Sequence, residues 1–102
     1  MIARIWKARA SADRVAEYTA YFQSTVTPEL RAINGYEGAT LLHGVVRDRI
    51  VDVTVITWWT SLEAIRAFAG EAVETAVVHD SAARMLIDFD RTVSHQTVVL
   101  DE

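Results

Sequence analysis

The chain has 102 residues, so a single domain spanning residues 1–102 is expected. Apolar residues make up 51% of the sequence and the formal net charge is −4, which excludes a disordered chain and argues against nucleic-acid binding. No apolar stretch reaches the roughly 18 residues of a membrane span, and the lack of cysteine excludes disulfides and thiolate metal sites and fits a reducing cytoplasm.

The first third of the chain predicts a strand followed by a kinked helix. Residues 1–9 alternate as a β-strand does, and apolar residues then recur at steps of three and four, which is typical of one helix face. The positions on this face are Val15, Tyr18, Phe22, Val26, Leu30 and Ile33. Pro28 lies among them and cannot donate a hydrogen bond to Ser24, so we expect a kink or break over residues 24–27. Asn34–Gly35 should end the helix.

A hairpin and a second helix are predicted next. Residues 38–47 and 50–59 read as two strands joined by a charged turn. The second strand is apolar on both faces except at Asp52, so both of its faces should be covered. Thr60 and Glu63 fit a capping box at the start of a helix.

The remaining elements complete a repeated pattern. The second helix should end at Gly70 and bury Leu62, Ile65, Phe68 and Ala69. Two short helical pieces are predicted at 73–77 and 82–89, and a last strand at 92–100. The order βαββαβ predicts an α+β, ferredoxin-like fold, a split βαβ unit repeated twice, with an antiparallel sheet and helices on one face. The chain has too few elements to cover the other face, so we expect a homodimer whose two sheets meet and close a barrel.

Three stretches of the sequence resemble a known family. They are Met1–Trp6, Trp59–Gly70 and Val93–His95, and the motif Trp-x-Ser-x-Glu-Ala is the most specific part. Over nearly the whole chain they resemble the antibiotic biosynthesis monooxygenase-like proteins of the dimeric α/β barrel superfamily. The resemblance implies a homodimer with its sheets back to back and a small pocket in each subunit between sheet and helices. Members of this superfamily include cofactor-independent oxygenases of polycyclic hydroquinones, haem-degrading enzymes and proteins of no known activity, so the fold alone does not determine function.

The haem-degrading branch of this superfamily can be compared residue by residue. It relies on an Asn in the first strand and on a Trp and a His in the second helix. The corresponding positions here hold Trp6 or Lys7, Phe68 and Val78, with His79 next to the last. Haem degradation is therefore disfavoured.

Two histidines are candidate catalytic bases. His79 precedes an aspartate and follows an apolar run, so it is either a general base working near neutral pH or a surface histidine at a helix end. His43 lies within a strand on an apolar face, where it either lines the pocket or packs in the core or interface. His95 is expected to pack on the last strand. No two histidines have a short ligand spacing, so no metal site is expected.

Aromatic side chains are the candidate walls of a substrate pocket. Trp58 and Trp59 are adjacent on a strand, so one should face the helices and the other the dimer interface. The candidate substrate-binding residues are Trp59, Phe68, Phe22, Trp6 and Tyr18. Tyr18 and Tyr21 could also supply a hydroxyl group. The alternative for all of these residues is simple packing in the core.

We therefore expect a cofactor-independent monooxygenase that acts on an aromatic or quinol-like small molecule, needing neither metal nor flavin. The family's Asn-Trp-Arg constellation is not evident, because the only asparagine, Asn34, lies in a turn. The alternatives are a non-catalytic or stress-related dimer that binds a hydrophobic ligand and, less favoured, a haem-binding or haem-degrading protein.

Overall fold

One antiparallel sheet carries all of the helices on one face in the computed structural model, which describes residues 1–102. The elements are β1 (Ile2–Ser11), α1 (Val15–Tyr21), a π-helical turn (Phe22–Val26), α2 (Thr27–Arg31), β2 (Tyr36–His43), β3 (Ile50–Trp59), α3 (Leu62–Ala69), α4 (Asp80–Met85), β4 (Asp88–Phe89) and β5 (Ser94–Thr97). The sheet order is β2-β3-β1, and β4 and β5 pair with different parts of the free edge of β1. This order confirms the predicted ferredoxin-like fold. None of the helices has the length and apolar character that a bilayer crossing requires.

The central strand β3 has the predicted bounds and the predicted two-sided character. Every second residue from Val51 to Trp59 is buried against the helices. The intervening residues point to the other face, where Ile56 and Trp58 are half-buried within a single chain. The two adjacent tryptophans therefore face opposite sides of the sheet, as their spacing predicts.

The first helix is interrupted where the sequence predicts it. Residues 22–26 wind as a π-helical turn between α1 and α2, and Pro28 lies in the first turn of α2. At that position a missing N–H removes no helical hydrogen bond, so the π turn absorbs the change in winding and Pro28 is accommodated in the first turn of α2. Phe22 and Leu30, on either side of the interruption, both remain buried.

The turn between β2 and β3 and the start of α3 depend on unusual backbone positions. Asp48 and Arg49 adopt φ of 48° and 64°, which makes the predicted charged turn a two-residue hairpin without glycine. Gly35, with φ of 95°, accepts a hydrogen bond from the backbone of Thr60. A Cβ at Gly35 would lie 2.5 Å from the Cβ of Ala64, so only glycine lets α3 approach this turn.

Several local predictions are wrong. Ser61, and not Thr60, is the N-cap of α3, because its hydroxyl accepts a hydrogen bond from the Ala64 N–H at 3.1 Å. Leu62 is exposed rather than part of the buried stripe of that helix. Phe89 belongs to the short strand β4 rather than to a helix.

The segment before α4 is irregular, although 73–77 was predicted to be helical. Its backbone pairs with the chain that enters β5: Ala76 donates to the Arg91 carbonyl at 2.9 Å, and Val93 donates to the Glu74 carbonyl at 2.8 Å. These bonds replace helical ones. The flanking strands are also displaced or shorter than predicted, since β2 spans 36–43 and β5 spans 94–97.

Two clusters of buried side chains lie between the sheet and the helices. The larger cluster comprises Ala8, Ala10, Tyr18, Phe22, Val53, Val55, Ala82 and Leu86. The smaller comprises Leu30, Trp59 and Ile65. Val26 packs against both clusters, and members of both line one cavity.

Candidate functional site

A cavity of about 70 Å³ lies between the two clusters. Its walls come from β1, β3, the first helix, α3 and residues 76–79, and 13 of its 17 lining residues are hydrophobic. It reaches the surface beside His79 and Glu29, whose side chains are both exposed. The volume is about half that of a cavity of roughly 150 Å³ that admits benzene. A ligand must therefore extend through the mouth or push the wall outward.

Aromatic rings form much of the cavity wall and brace one another. The lining includes Trp6, Tyr18, Tyr21, Phe22 and Phe68. The Tyr18 ring centroid lies 6.5 Å from that of Trp6 and 6.3 Å from that of Phe22. The Trp6 indole N–H donates to the Asp90 carbonyl at 2.7 Å, which fixes the orientation of the indole. The rings present flat apolar surfaces on which another aromatic molecule can pack.

Arg4 brings a positive charge into this apolar site. It lies on β1, lines the cavity and is 4% exposed, the only buried residue in the chain with a formal charge. Its Nη1 donates to the Val73 carbonyl at 2.6 Å and its Nη2 to the Thr75 carbonyl at 2.9 Å. The guanidinium carbon lies 5.6 Å from the centre of the Phe68 ring. Burial lowers the pKa of Arg4, but arginine stays protonated in proteins.

His95 contacts Arg4 from β5. Its Nε2 lies 3.0 Å from Nη1 of Arg4. Burial lowers the pKa of His95, the charge of Arg4 lowers it further, and Glu74 acts in the opposite direction. The ring is therefore neutral near pH 7, and its Nε2 accepts a hydrogen bond from the guanidinium.

Tyr18 contributes a free hydroxyl to the site. The side chain is buried, but its hydroxyl has no hydrogen-bond partner in the protein and is not sealed from solvent. Burial raises the pKa of Tyr18 well above its ordinary value, and Tyr21 contributes in the same direction. The hydroxyl therefore stays protonated and can donate a hydrogen bond to a ligand in the cavity.

His79 lies at the mouth of the cavity. It immediately precedes α4, and its backbone carbonyl accepts from the Ala83 N–H at 3.0 Å. Its Nε2 lies 3.6 Å from a carboxylate oxygen of Glu29 on α2. Nearby, the Ser81 hydroxyl donates to the Tyr21 hydroxyl at 3.2 Å. The mouth thus holds a histidine and a carboxylate at ion-pair distance.

Two of the sequence-predicted site residues lie outside this cavity. Trp59 is fully buried behind Phe68, with ring centroids 5.7 Å apart, and its indole N–H donates to the Thr57 hydroxyl at 2.8 Å. His43 is exposed near the end of β2, with its Nε2 3.4 Å from the Thr19 hydroxyl. The other predicted residues, His79, Phe68, Phe22, Trp6 and Tyr18, all line the cavity. No three histidine or acidic side chains come together as metal ligands.

Sequence reasoning missed Arg4 as a site residue. The signal is the strand alternation: the neighbours two positions away, Ile2 and Trp6, are large and apolar. A charged residue at such a position lies on the buried face of the strand, where it needs a special partner.

No family model and no curated protein matches the sequence. Solved structures do match it. A protein of Bacillus cereus classed as an antibiotic biosynthesis monooxygenase has a TM-score of 0.69 at 15% sequence identity, over 100% of this chain and 94% of that chain. A variant of MhuD with two manganese protoporphyrin IX molecules bound per active site has a TM-score of 0.64 at 19% identity, over 100% and 98%. The heme-degrader MhuD from Mycobacterium tuberculosis, with two hemes bound in its active site, has a TM-score of 0.55 at 20% identity, over 100% and 99%.

These similarities establish the fold of the chain. It has the ferredoxin-like fold of antibiotic biosynthesis monooxygenase-like proteins, as the sequence resemblance predicts. Identities of 15% and 20% carry no more than the fold, so the ligand of each matched protein remains a property of that protein.

Proposed function

We propose that the cavity binds a small aromatic or quinol-like molecule and that the protein oxygenates it with molecular oxygen and no cofactor. The observation that supports this most is the set of aromatic side chains that line the cavity, among them Tyr18 with its free hydroxyl. His79 at the mouth is the proposed base, because it is the one histidine in the lining. Imidazole is suited to removing a weakly acidic proton near neutral pH.

The proposed reaction starts with loss of a proton from the substrate to His79. The electron-rich substrate anion transfers one electron to oxygen, and the two radicals combine to form a carbon–oxygen bond. Loss of water from the resulting peroxide leaves a carbonyl group. For a methylene carbon between aromatic rings, R₂CH₂ + O₂ gives R₂C=O + H₂O. The substrate supplies all four electrons, so no external reductant is needed.

Substrate entry requires the cavity to widen, and one wall is suited to this. Val77 and Val78 line the cavity next to His79, and neither donates a backbone hydrogen bond. Local segments with few backbone hydrogen bonds open at low free-energy cost. Residues 77–78 are therefore the part of the wall that we propose moves aside.

Oxygen consumption by the metal-free protein tests this proposal. With a panel of mono- to tricyclic hydroquinones and related phenols, we expect uptake above the spontaneous rate for at least one compound. His79→Ala should lower this rate about 100-fold, the lower end of the usual contribution of a general base. His43→Ala is the matched control, because His43 is an exposed histidine outside the cavity and its loss should leave the rate unchanged.

Other results of this assay would redirect the proposal. An unchanged rate in His79→Ala would remove His79 as the base. Binding of aromatic compounds without oxygen uptake would favour the second candidate, a non-catalytic protein that holds a hydrophobic ligand, for which the small cavity is the supporting observation.

The residues of this cavity do not fit haem. Pockets for drug-sized ligands have volumes of about 300–1,000 Å³, and a porphyrin is at least as large, whereas this cavity measures about 70 Å³. The β1 wall holds the bulky Trp6, and the nearest histidine faces Glu29.

We also propose that the protein is a homodimer that pairs the open faces of two sheets. That face carries Ile5, Leu42, Ile56 and Trp58, and the helices all pack on the opposite face of the sheet. Val99 and Leu100 after β5 are also strongly exposed. A second copy would remove these apolar side chains from water.

A further inference from the structure

We infer that Arg4 and Tyr18 together recognise an anionic oxygen, so that the ligand of the cavity is a phenolate or enolate. This inference rests on the proposed function, and it specifies the substrate class: the anion that remains when His79 has taken the proton carries its charge on an oxygen, which Arg4 and Tyr18 hold. The carrying observation is that one apolar cavity is lined both by a buried cation without an ion-pair partner and by a buried tyrosine whose hydroxyl has no partner in the protein.

Arg4 forms no ion pair within the chain. No carboxylate lies within 4.0 Å of its guanidinium. By contrast, Arg9 forms ion pairs with Asp88 and Asp90 at the surface. A buried cation without an anion is costly, and an anionic ligand in the same cavity would offset that cost.

The guanidinium also has unused hydrogen-bond donors. Of its five N–H groups, three are accounted for by the Val73 and Thr75 carbonyls and the His95 ring. The neutral His95 ring accepts a hydrogen bond but does not balance the positive charge of Arg4. Two N–H groups, on Nε and Nη2, form no hydrogen bond within the chain. Nε has no partner at all and is not sealed from solvent, so it is open to a ligand. The fixed partners hold the guanidinium in place, so little freedom is lost when a ligand binds.

Tyr18 complements this cation from the helix side of the cavity. Its hydroxyl is free and stays protonated, so it donates to an oxygen and does not compete as a second anion. A phenolate oxygen accepts several hydrogen bonds at once, and charge-assisted bonds are the strongest kind. A neutral ether or hydrocarbon ring of the same size would leave both groups unsatisfied. We therefore expect the site to discriminate by charge.

The test is equilibrium binding of 4-nitrophenol and 4-nitroanisole to the wild-type protein. These single-ring molecules differ only at the oxygen, neither reacts with oxygen, and the phenol and phenolate forms absorb at different wavelengths. We expect the phenolate to bind at least about tenfold more tightly than the anisole, because an opposite charge nearby lowers an acid's pKa by about one to three units. The spectrum of bound nitrophenol should therefore be that of the phenolate at a pH where the free compound is still partly protonated.

Three variants separate recognition from structure. Arg4→Met should abolish the preference for the phenolate, and Arg4→Lys should retain part of it because the charge remains. Tyr18→Phe should reduce the affinity for the phenolate several-fold while leaving that for the anisole unchanged. Arg66→Met is the matched control, since Arg66 is an exposed arginine outside the cavity, and the preference should persist. Thermal melts verify that each variant is folded.

Each outcome bears on a different claim. Equal affinity of the wild-type protein for the two compounds would overturn the inference and leave the aromatic-ligand proposal standing, even if Arg4→Met failed to fold. Binding of neither compound would overturn both. Binding of the phenolate without oxygen uptake on any hydroquinone would support the inference and count against the oxygenase.

Discussion

His95 links the stability of the protein to pH through its contact with Arg4. Its Nε2 accepts from a guanidinium at 3.0 Å, so a proton on this ring would remove the bond and oppose a cation. Burial is the larger reason for the lowered pKa of His95, the charge of Arg4 is the second, and Glu74 partly offsets them. The folded protein therefore binds this proton less readily than the unfolded chain does.

The expected consequence is a loss of stability in mild acid. The unfolded chain takes up the proton around the ordinary histidine value of 6.5, whereas the folded chain does so only at lower pH. The contribution of neutral His95 to the free energy of unfolding is fully present above pH 6.5. It falls as the pH drops from there through the lowered pKa of His95. Urea midpoints between pH 7.5 and 5.5 should therefore fall less in His95→Gln than in the wild type. His43→Gln, which changes an exposed histidine, should keep the wild-type dependence, and equal slopes in all three proteins would contradict the contact.

Residue positions on a strand are easier to predict than the space between them. Alternation alone put Trp59 on the opposite face from Trp58 and marks Arg4 as a residue on the buried face of β1. Whether a buried residue lines a cavity depends on how the two core clusters pack against each other. This packing is set by contacts between segments that are distant in sequence. Trp59 and Phe68 illustrate this, since the two rings stack but only Phe68 borders the cavity.

The start of α3 is decided by contacts beyond the helix itself. Thr60 and Ser61 are adjacent hydroxyl residues, and either could cap a helix by its local sequence. The Thr60 N–H donates to the Gly35 carbonyl at 2.8 Å, which holds that residue at the end of the strand. Ser61 then adopts φ −160° and ψ 163°, the extended conformation of an N-cap.

Alanine substitutions at these two positions should have different effects. Ser61→Ala removes the acceptor for the Ala64 N–H and should cost about 1 kcal/mol of unfolding free energy. Thr60→Ala should cost less than half as much, because the Thr60 side chain forms no hydrogen bond. Urea denaturation of the two variants beside the wild type measures both values. A larger effect at Thr60 would restore the capping box that the sequence predicts.

Elements stabilised by local interactions were predicted more accurately than those stabilised by distant ones. The bounds of β3 and the interruption before Pro28 follow from residue type and spacing within a few positions. Residues 73–77 have apolar spacing that suits a helix, yet their backbone bonds go to Arg91 and Val93. The sequence of residues 73–77 contains no signal that predicts these distant hydrogen-bond partners.

The exposed surface of the whole molecule is larger than the average for its mass, which is in keeping with the proposed dimer. A compact monomer of this mass, 11.4 kDa, should expose about 5,800 Å², whereas the chain exposes 6379 Å². Part of the excess lies on apolar side chains such as Val99 and Leu100. The open sheet face is divided, with Lys7, Asp52 and Asp88 toward one end and the apolar residues toward the other. The apolar end is therefore the part that a second copy should cover.

Ile56 tests the proposed dimer because it lies in the middle of that face. It pairs with Ile5 on one side and Thr40 on the other, and it is half-buried within a single chain. A glutamate there would place a charge opposite its own copy in an apolar contact, so Ile56→Glu should convert the dimer to a folded monomer at micromolar concentration. Leu62→Glu, on an exposed apolar residue of α3 across the molecule, should leave the dimer intact. Light scattering with sedimentation gives the mass of each protein. A monomeric wild type would refute the dimer. Dissociation by Ile56→Glu but not by Leu62→Glu would assign the contact to the open face. The two variants add the same charge and differ only in the face that bears it.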